Sequence, residues 1–244
     1  MGAVMEGQVS AMLRRKRDLL GAGLWAASRR LWSHADAARM YPALLFRSHC
    51  NARAIVSVLE AAAARLEPLT GEDPAAAGLL EFALGFIPEE TGHDEWILED
   101  LEALGLPRRD VLARVPPPAI AALVGAQLYW IAHHHPVSVL GYCYIAETLS
   151  PPIDKVEDLI RRTGLPRSAF RTLLRHASLD LVHGAHVEHV LDTLPLTKEH
   201  LSMIGVSMAH SLQSFATSTD EIVDLYELRS GAPTDGAEPA GCLW

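Results

Sequence analysis

Apolar positions recur every three to four residues along nearly the whole chain, and strict alternation of apolar and polar residues is rare. Alanine and leucine are abundant, β-branched runs are scarce, and proline and glycine gather at a few points. The pattern predicts helices over about 9–31, 35–66 (bent near Tyr41-Pro42), 75–104, 109–113, 119–134, 137–149, 153–163, 167–194 and 197–228. The third of these is broken or kinked at Pro88, because proline cannot donate the helical hydrogen bond there. The stretch EPLTGEDP reads as a loop, and Gly105-Leu106-Pro107, Pro116-Pro117-Pro118, Pro136, Pro151-Pro152 and Pro195 separate the other elements. No segment reads as a strand, and there is no internal repeat. These signals define an all-α bundle of seven or more helices, forming one domain over about 1–230. The Gly-, Pro- and Ala-rich tail, about 231–244, is expected to be disordered.

The 244 residues, 49% hydrophobic and 21% charged, suit a single domain with a sizeable core. A formal net charge of -9 argues against a nucleic-acid-binding surface. The one basic cluster, Arg14-Arg15-Lys16-Arg17, reads as a solvated helix face. No apolar run is long enough to span a bilayer, and the N-terminus lacks the features of a secretory signal. Three widely spaced cysteines, Cys50, Cys143 and Cys242, do not form a disulfide framework and fit a reducing cytoplasm.

The chemistry concentrates in RHASLDLVHGAHVEH. His176, Asp180 and His183 are four and then three residues apart, steps of about 400° and 300° on a helix. All three therefore fall within an arc of about 60°, and two imidazoles with a carboxylate on one face make a metal-ligand pattern. Upstream, PEETGHDEW offers Glu90 and His93, also about 60° apart if both are helical. Glu89 competes with Glu90, because the i to i+4 spacing also faces His93. Glu147 lies in the otherwise apolar LGYCYIAETL, where burying a carboxylate is expensive unless it is paired or metal-bound. Three carboxylates and three histidines suffice for two adjacent metal ions with vacant positions, and such mixed ligation suits Fe(II) or Mn(II). A ferritin-like site needs two Glu-x-x-His motifs, and only one is present.

Glu90-x2-His93, Glu147 and His176-x3-Asp180-x2-His183, with the flanking EETGHDEWILEDLEALG and VSVLGYCYIAE, resemble the haem-oxygenase-like di-iron oxidases and oxygenases. The resemblance spans roughly 35–228. It implies a haem-oxygenase-like fold, two iron ions held by those six residues as metal ligands and catalytic centre, and O2 as co-substrate through a peroxo-di-iron(III) intermediate. It also implies a small amine- or amino-acid-derived substrate, N-oxygenation or oxidative C–C or C–N chemistry in natural product biosynthesis, an external electron donor and a homodimer. Some N-oxygenating members carry a further carboxylate about three turns before the His of Glu-x-x-His. Here that region reads LLEFALGF, with Ala83 near the expected place and Glu81 slightly further out.

Other residues have bland readings beside their sharp ones. His186 could stand behind the ligands, and His189 projects to solvent. Tyr142 and Tyr144 flank Glu147 as core aromatics or pocket lining. His133-His134-His135 looks like a metal tract but reads as a solvated helix end. His34 or His49 could serve as a haem ligand, which would leave the six-residue set unexplained. Cys143 invites comparison with thiaminase-like relatives, which use a nucleophilic Cys, but reads as a small core residue. Arg47 and Arg53 could clamp a substrate carboxylate or form surface salt bridges. The alternatives to an oxygenase are therefore a metal-free enzyme on the same fold and a non-enzymatic helical binding protein.

Overall fold

The computed structural model describes residues 8–230, and their side chains at all but 178–182. Among the described residues the chain is all-α: α1 (Gln8–Leu20), α2 (Ala22–Ser33), α3 (Ala37–Leu66), α4 (Ala76–Glu90), α5 (His93–Ala103), α6 (Arg108–Leu112), α7 (Pro118–His133), α8 (Ser138–Ala146), α9 (Ile153–Thr163), α10 (Arg171–Thr193) and α11 (Lys198–Ser230). Short 3-10 turns at Glu67–Leu69 and Arg167–Phe170 follow α3 and precede α10. No described helix is long and apolar enough to cross a membrane. The tail expected to be disordered lies outside the described residues.

The long helices α3 and α11 form the frame. One apolar core joins α3 to α4, α7, α8, α10 and α11 through residues such as Leu59, Leu79, Phe86, Leu140, Val187 and Met208, all fully or almost fully buried. A second core gathers α3, α5, α6 and α9 around Tyr41, whose ring stacks on Phe170 at 4.4 Å and whose hydroxyl donates to the Ala169 carbonyl at 2.9 Å. Burial on this scale is the main stabilising contribution, because individual helices of this length are marginal in water.

Three expected helices end differently. The element over 9–31 divides at Gly21 into α1 and α2. The 75–104 element does not break at Pro88. Proline there withdraws one N–H from the last turn of α4, where the helix is about to end. The break comes at Thr91-Gly92, where Gly92 takes a φ of 91°, a left-handed conformation that favours glycine. Glu90 therefore closes one helix and His93 opens the next, so the pair flanks a turn instead of sharing a helical face. The 137–149 element stops at Ala146, leaving Glu147 just past the end of α8.

Two contacts fix the helices that carry the site. Asp100 on α5, fully buried, accepts the Thr172 backbone N–H at 2.9 Å, which caps the first turn of α10. Gly141 on α8 lies flat against α11: a methyl group there would overlap the Ile204 carbonyl oxygen and sit 2.8 Å from the Met208 nitrogen. Backbone cannot yield as a side-chain tip can, so Gly141→Ala is expected to cost about 1–3 kcal/mol. It should also shift Glu147. Urea unfolding together with metal occupancy checks this, and wild-type values for both would contradict the packing argument.

Candidate metal centre

The turn at Gly92, the end of α8 and the face of α10 deliver their side chains to one buried place. One donor atom each from Glu90, Glu147 and His183 lies within 4.8 Å of the other two. The His183 Nδ1–H donates to Glu147 Oε2 at 3.2 Å. His93 Nδ1 lies 3.2 Å from Glu90 Oε2, and the His93 and His176 rings sit 4.8 Å apart, edge to face. Glu90, His93 and Glu147 are only 4%, 2% and 5% exposed, which separates them from ordinary surface ion pairs.

Five of the six residues singled out in the sequence are thus brought together. The sixth, Asp180, lies outside the described residues as far as its side chain is concerned. Its helix continues through that position, one turn from His176 and from His183. Between Glu89 and Glu90 the structure distinguishes clearly. Glu90 points into the buried group, whereas Glu89 is 38% exposed and approaches His183 Nε2 from outside at 3.6 Å. His186 packs edge-on against Phe82 and Phe86, and His189 is exposed.

A cavity of about 490 Å³ opens onto these residues, with Glu90, His93, Glu147 and His176 in its wall. Trp25, Trp32 and Phe215 supply much of its apolar lining. Two polar residues in that wall escaped the sequence reading or changed role. The fully buried Tyr142 donates its hydroxyl to Asn51 Oδ1 at 2.8 Å, which turns the Asn51 amide N–H2 away from Tyr142. Arg47, 5% exposed, bonds through Nη1 to Ser218 and to Glu221 Oε2 at 2.8 Å, so it is neither a surface salt bridge nor an unheld cation.

The donor set fits a metal ion. Glu90 Oε1 and His93 Nδ1 are buried and make no hydrogen bond. Leaving such atoms unsatisfied is costly, and a cation would satisfy both while offsetting the buried negative charge. The chemistry of the donors, imidazole nitrogen and carboxylate oxygen, fits iron or manganese.

A second cluster went unrecognised in the sequence because its members come from three distant segments. Asp73 Oδ2 lies 2.9 Å from His200 Nε2 and 3.3 Å from His135 Nε2. This corrects the reading of the 133–135 run as wholly solvated. His133 and His134 are exposed, but His135 turns inward. The hydrogen bonds argue against a metal here. The Val137 N–H donates to His135 Nδ1, and the Thr197 N–H to His200 Nδ1 within a capping-box arrangement at the start of α11. With Nδ1 accepting, each neutral ring carries its proton on Nε2, leaving no ring lone pair for a metal; the His200 Nε2 lies 2.9 Å from Asp73, and the His135 Nε2 lies 3.3 Å away without a hydrogen bond. Asp73 Oδ1 meanwhile accepts the Ala75 N–H at 2.7 Å, at the start of α4. The cluster is a clasp joining α4, the α7–α8 turn and α11.

A family model described as iron-containing redox enzyme matches residues 49–215. With the helical bundle and its buried carboxylate–imidazole centre, the class is that of a haem-oxygenase-like protein. The chain belongs to the family of iron-containing redox enzymes. It is similar in structure to a domain of unknown function with a haem oxygenase-like fold from Shewanella denitrificans OS217, at 21% identity and a TM-score of 0.79, over 95% of this chain and 99% of that one. It is also similar to a TenA homolog from Pseudomonas syringae pv. tomato DC3000, at 11% identity and a TM-score of 0.60, over 84% and 91% of the two chains. No curated protein matches the chain in sequence.

A proton and a metal ion would compete at His183. The hydrogen bond to Glu147 raises its pKa above the ordinary imidazole value, with burial opposing and Glu89 and Glu90 assisting. Loading requires that proton to leave. Apparent metal affinity is therefore expected to fall as pH drops through the raised pKa, starting above about 6.5. In the metal-free protein the sign reverses: the pair's stabilisation is fully present below about pH 6.5 and is lost as pH rises through the raised value. Calorimetric Fe(II) titration in buffers of different ionisation enthalpy, with metal-free melts alongside, checks both. A pH-independent affinity would contradict them.

Proposed function

We propose that this protein is a non-haem iron oxygenase or oxidase that uses O2 to oxidise a small molecule, with two iron ions at the Glu90–Glu147–His183 and His93–His176 donors. The observation that carries the reading is the pair of buried, hydrogen-bond-free atoms, Glu90 Oε1 and His93 Nδ1, inside a five-residue carboxylate–imidazole group. Membership of the iron-containing redox enzyme family supports iron as the metal. Glu90 touches both halves of the group, with one oxygen against His93 and its carboxylate near Glu147 and His183. Glu90 would therefore hold iron from either half of the group, and Asp180, on the same helix as His176 and His183, is the sixth candidate ligand.

Iron bound here supplies reductive activation of O2. The chain's own residues do the rest. The apolar wall from Trp25, Trp32 and Phe215 excludes water and receives the body of a small substrate. The Asn51 amide, held by Tyr142, offers a fixed hydrogen-bond donor in the same wall. An amine- or amino-acid-derived metabolite, undergoing N-oxygenation or oxidative C–C or C–N cleavage with electrons from an external donor, suits this arrangement.

The likeness to a TenA homolog raises cysteine chemistry as a second reading. Cys143 is fully buried and does not line the cavity, and burial pushes its thiol well above the usual range, with Glu147 and Glu90 adding to the shift. A thiolate nucleophile is disfavoured there.

Anaerobic titration with Fe(II) should show about two ions per chain in wild type, and no more than about one in Glu147→Gln or His183→Ala. Asp73→Ala should bind as wild type does, separating the clasp from the centre. Oxygen pulsed onto the loaded protein should be consumed, and a chain that takes up no iron would sink the proposal.

A further inference from the structure

Helix α3 is a wall between two cavities. Its Arg47, Asn51 and Ile55 face the metal-side pocket, whereas Phe46, His49, Cys50 and Arg53 line a second cavity of about 330 Å³ together with Arg114 and Val124. The two sets alternate along α3 with helical spacing, so one helix presents a different face to each space.

The formally charged side chains in the wall of the second cavity are both arginines. Arg53 and Arg114 bring two guanidinium groups, and no aspartate or glutamate lines it. Its other titratable groups are neutral. Burial pushes the Cys50 thiol up to about 11. Burial also lowers the His49 pKa, and the Asp94 carbonyl can only accept, so His49 carries its proton on Nδ1, 3.3 Å from that oxygen. Asp94 and Glu95, the acids nearest His49, stand outside the wall, and Glu95 is paired with Arg108. A concavity lined by one sign of charge, in a chain of net charge -9, concentrates ions of the opposite sign.

We infer that this cavity is a binding site for a small organic oxyanion: a carboxylate or phosphate monoester on an apolar body, with its head on Arg53 and Arg114 and its body against Phe46 and Val124. Guanidinium groups match the planar, multi-acceptor geometry of such heads. The volume holds a ring or short chain with one head group. The site is separate from the metal-side pocket, although the Asp94 carbonyl that receives the His49 hydrogen bond directly follows His93.

The test uses the metal-free full-length protein, so it stands whether or not iron loading succeeds. Benzoate and phenyl phosphate are titrated by calorimetry, with benzyl alcohol and benzylamine as non-anionic controls. At least one anion should bind about tenfold or more tightly than either control, and the ranking of the two anions identifies the preferred head. Arg53→Gln, at an exposed position, should weaken the preferred anion about tenfold, and Arg114→Gln at least as much. Glu147→Gln should leave binding unchanged. Equal binding of anions and controls, indifference to Arg53→Gln, or loss of binding in Glu147→Gln would overturn the assignment.

Discussion

Glu90 and Glu147 set two carboxylates into the wall of one cavity, 4% and 5% exposed, with histidines as their close partners. Burying like charges together is among the most expensive arrangements a fold can hold. Imidazoles offset part of that cost when they carry a proton, as His183 does more readily beside Glu147. A divalent cation offsets far more, and it also satisfies the atoms that hydrogen bonds leave bare. The bundle around the centre is best understood as the device that holds these groups in place against their repulsion.

That device is built from rigid contacts at helix ends. Asp100 ties the start of α10 to α5, so His176 arrives beside His93. Gly141 lets α8 lie against α11, which sets the position of Glu147. The clasp of Asp73, His135 and His200 joins the start of α4, the entry to α8 and the start of α11. Two of those helices end at metal-side carboxylates. The clasp resembles the centre in composition, yet backbone N–H groups on both Nδ1 atoms give it a different chemistry.

Most of the helices were legible because proline and glycine punctuate the chain and the apolar period is strong. The α9 boundaries, set by Pro152 and Gly164, match the expected 153–163. The candidate ligands His176, Asp180 and His183 stood out because they share one face of one helix, and the structure brings the first and last of them to the buried group. Glu90 and His93 were found by their spacing, although the reason for their meeting is a glycine turn and not a shared face. The clasp was not legible, since Asp73, His135 and His200 lie in three distant segments and each looks like a loop or helix-end residue. Arg47 and Arg53 looked alike in sequence. Only the helix between two cavities shows that they face different spaces.

Crystals loaded anaerobically with Fe(II), measured at the iron absorption edge, test the central claim directly. The account predicts anomalous peaks at the buried centre, one among Glu90, Glu147 and His183 and a second toward His93 and His176. Iron found only at Asp73, His135 and His200, or no iron within the cavity, would contradict it.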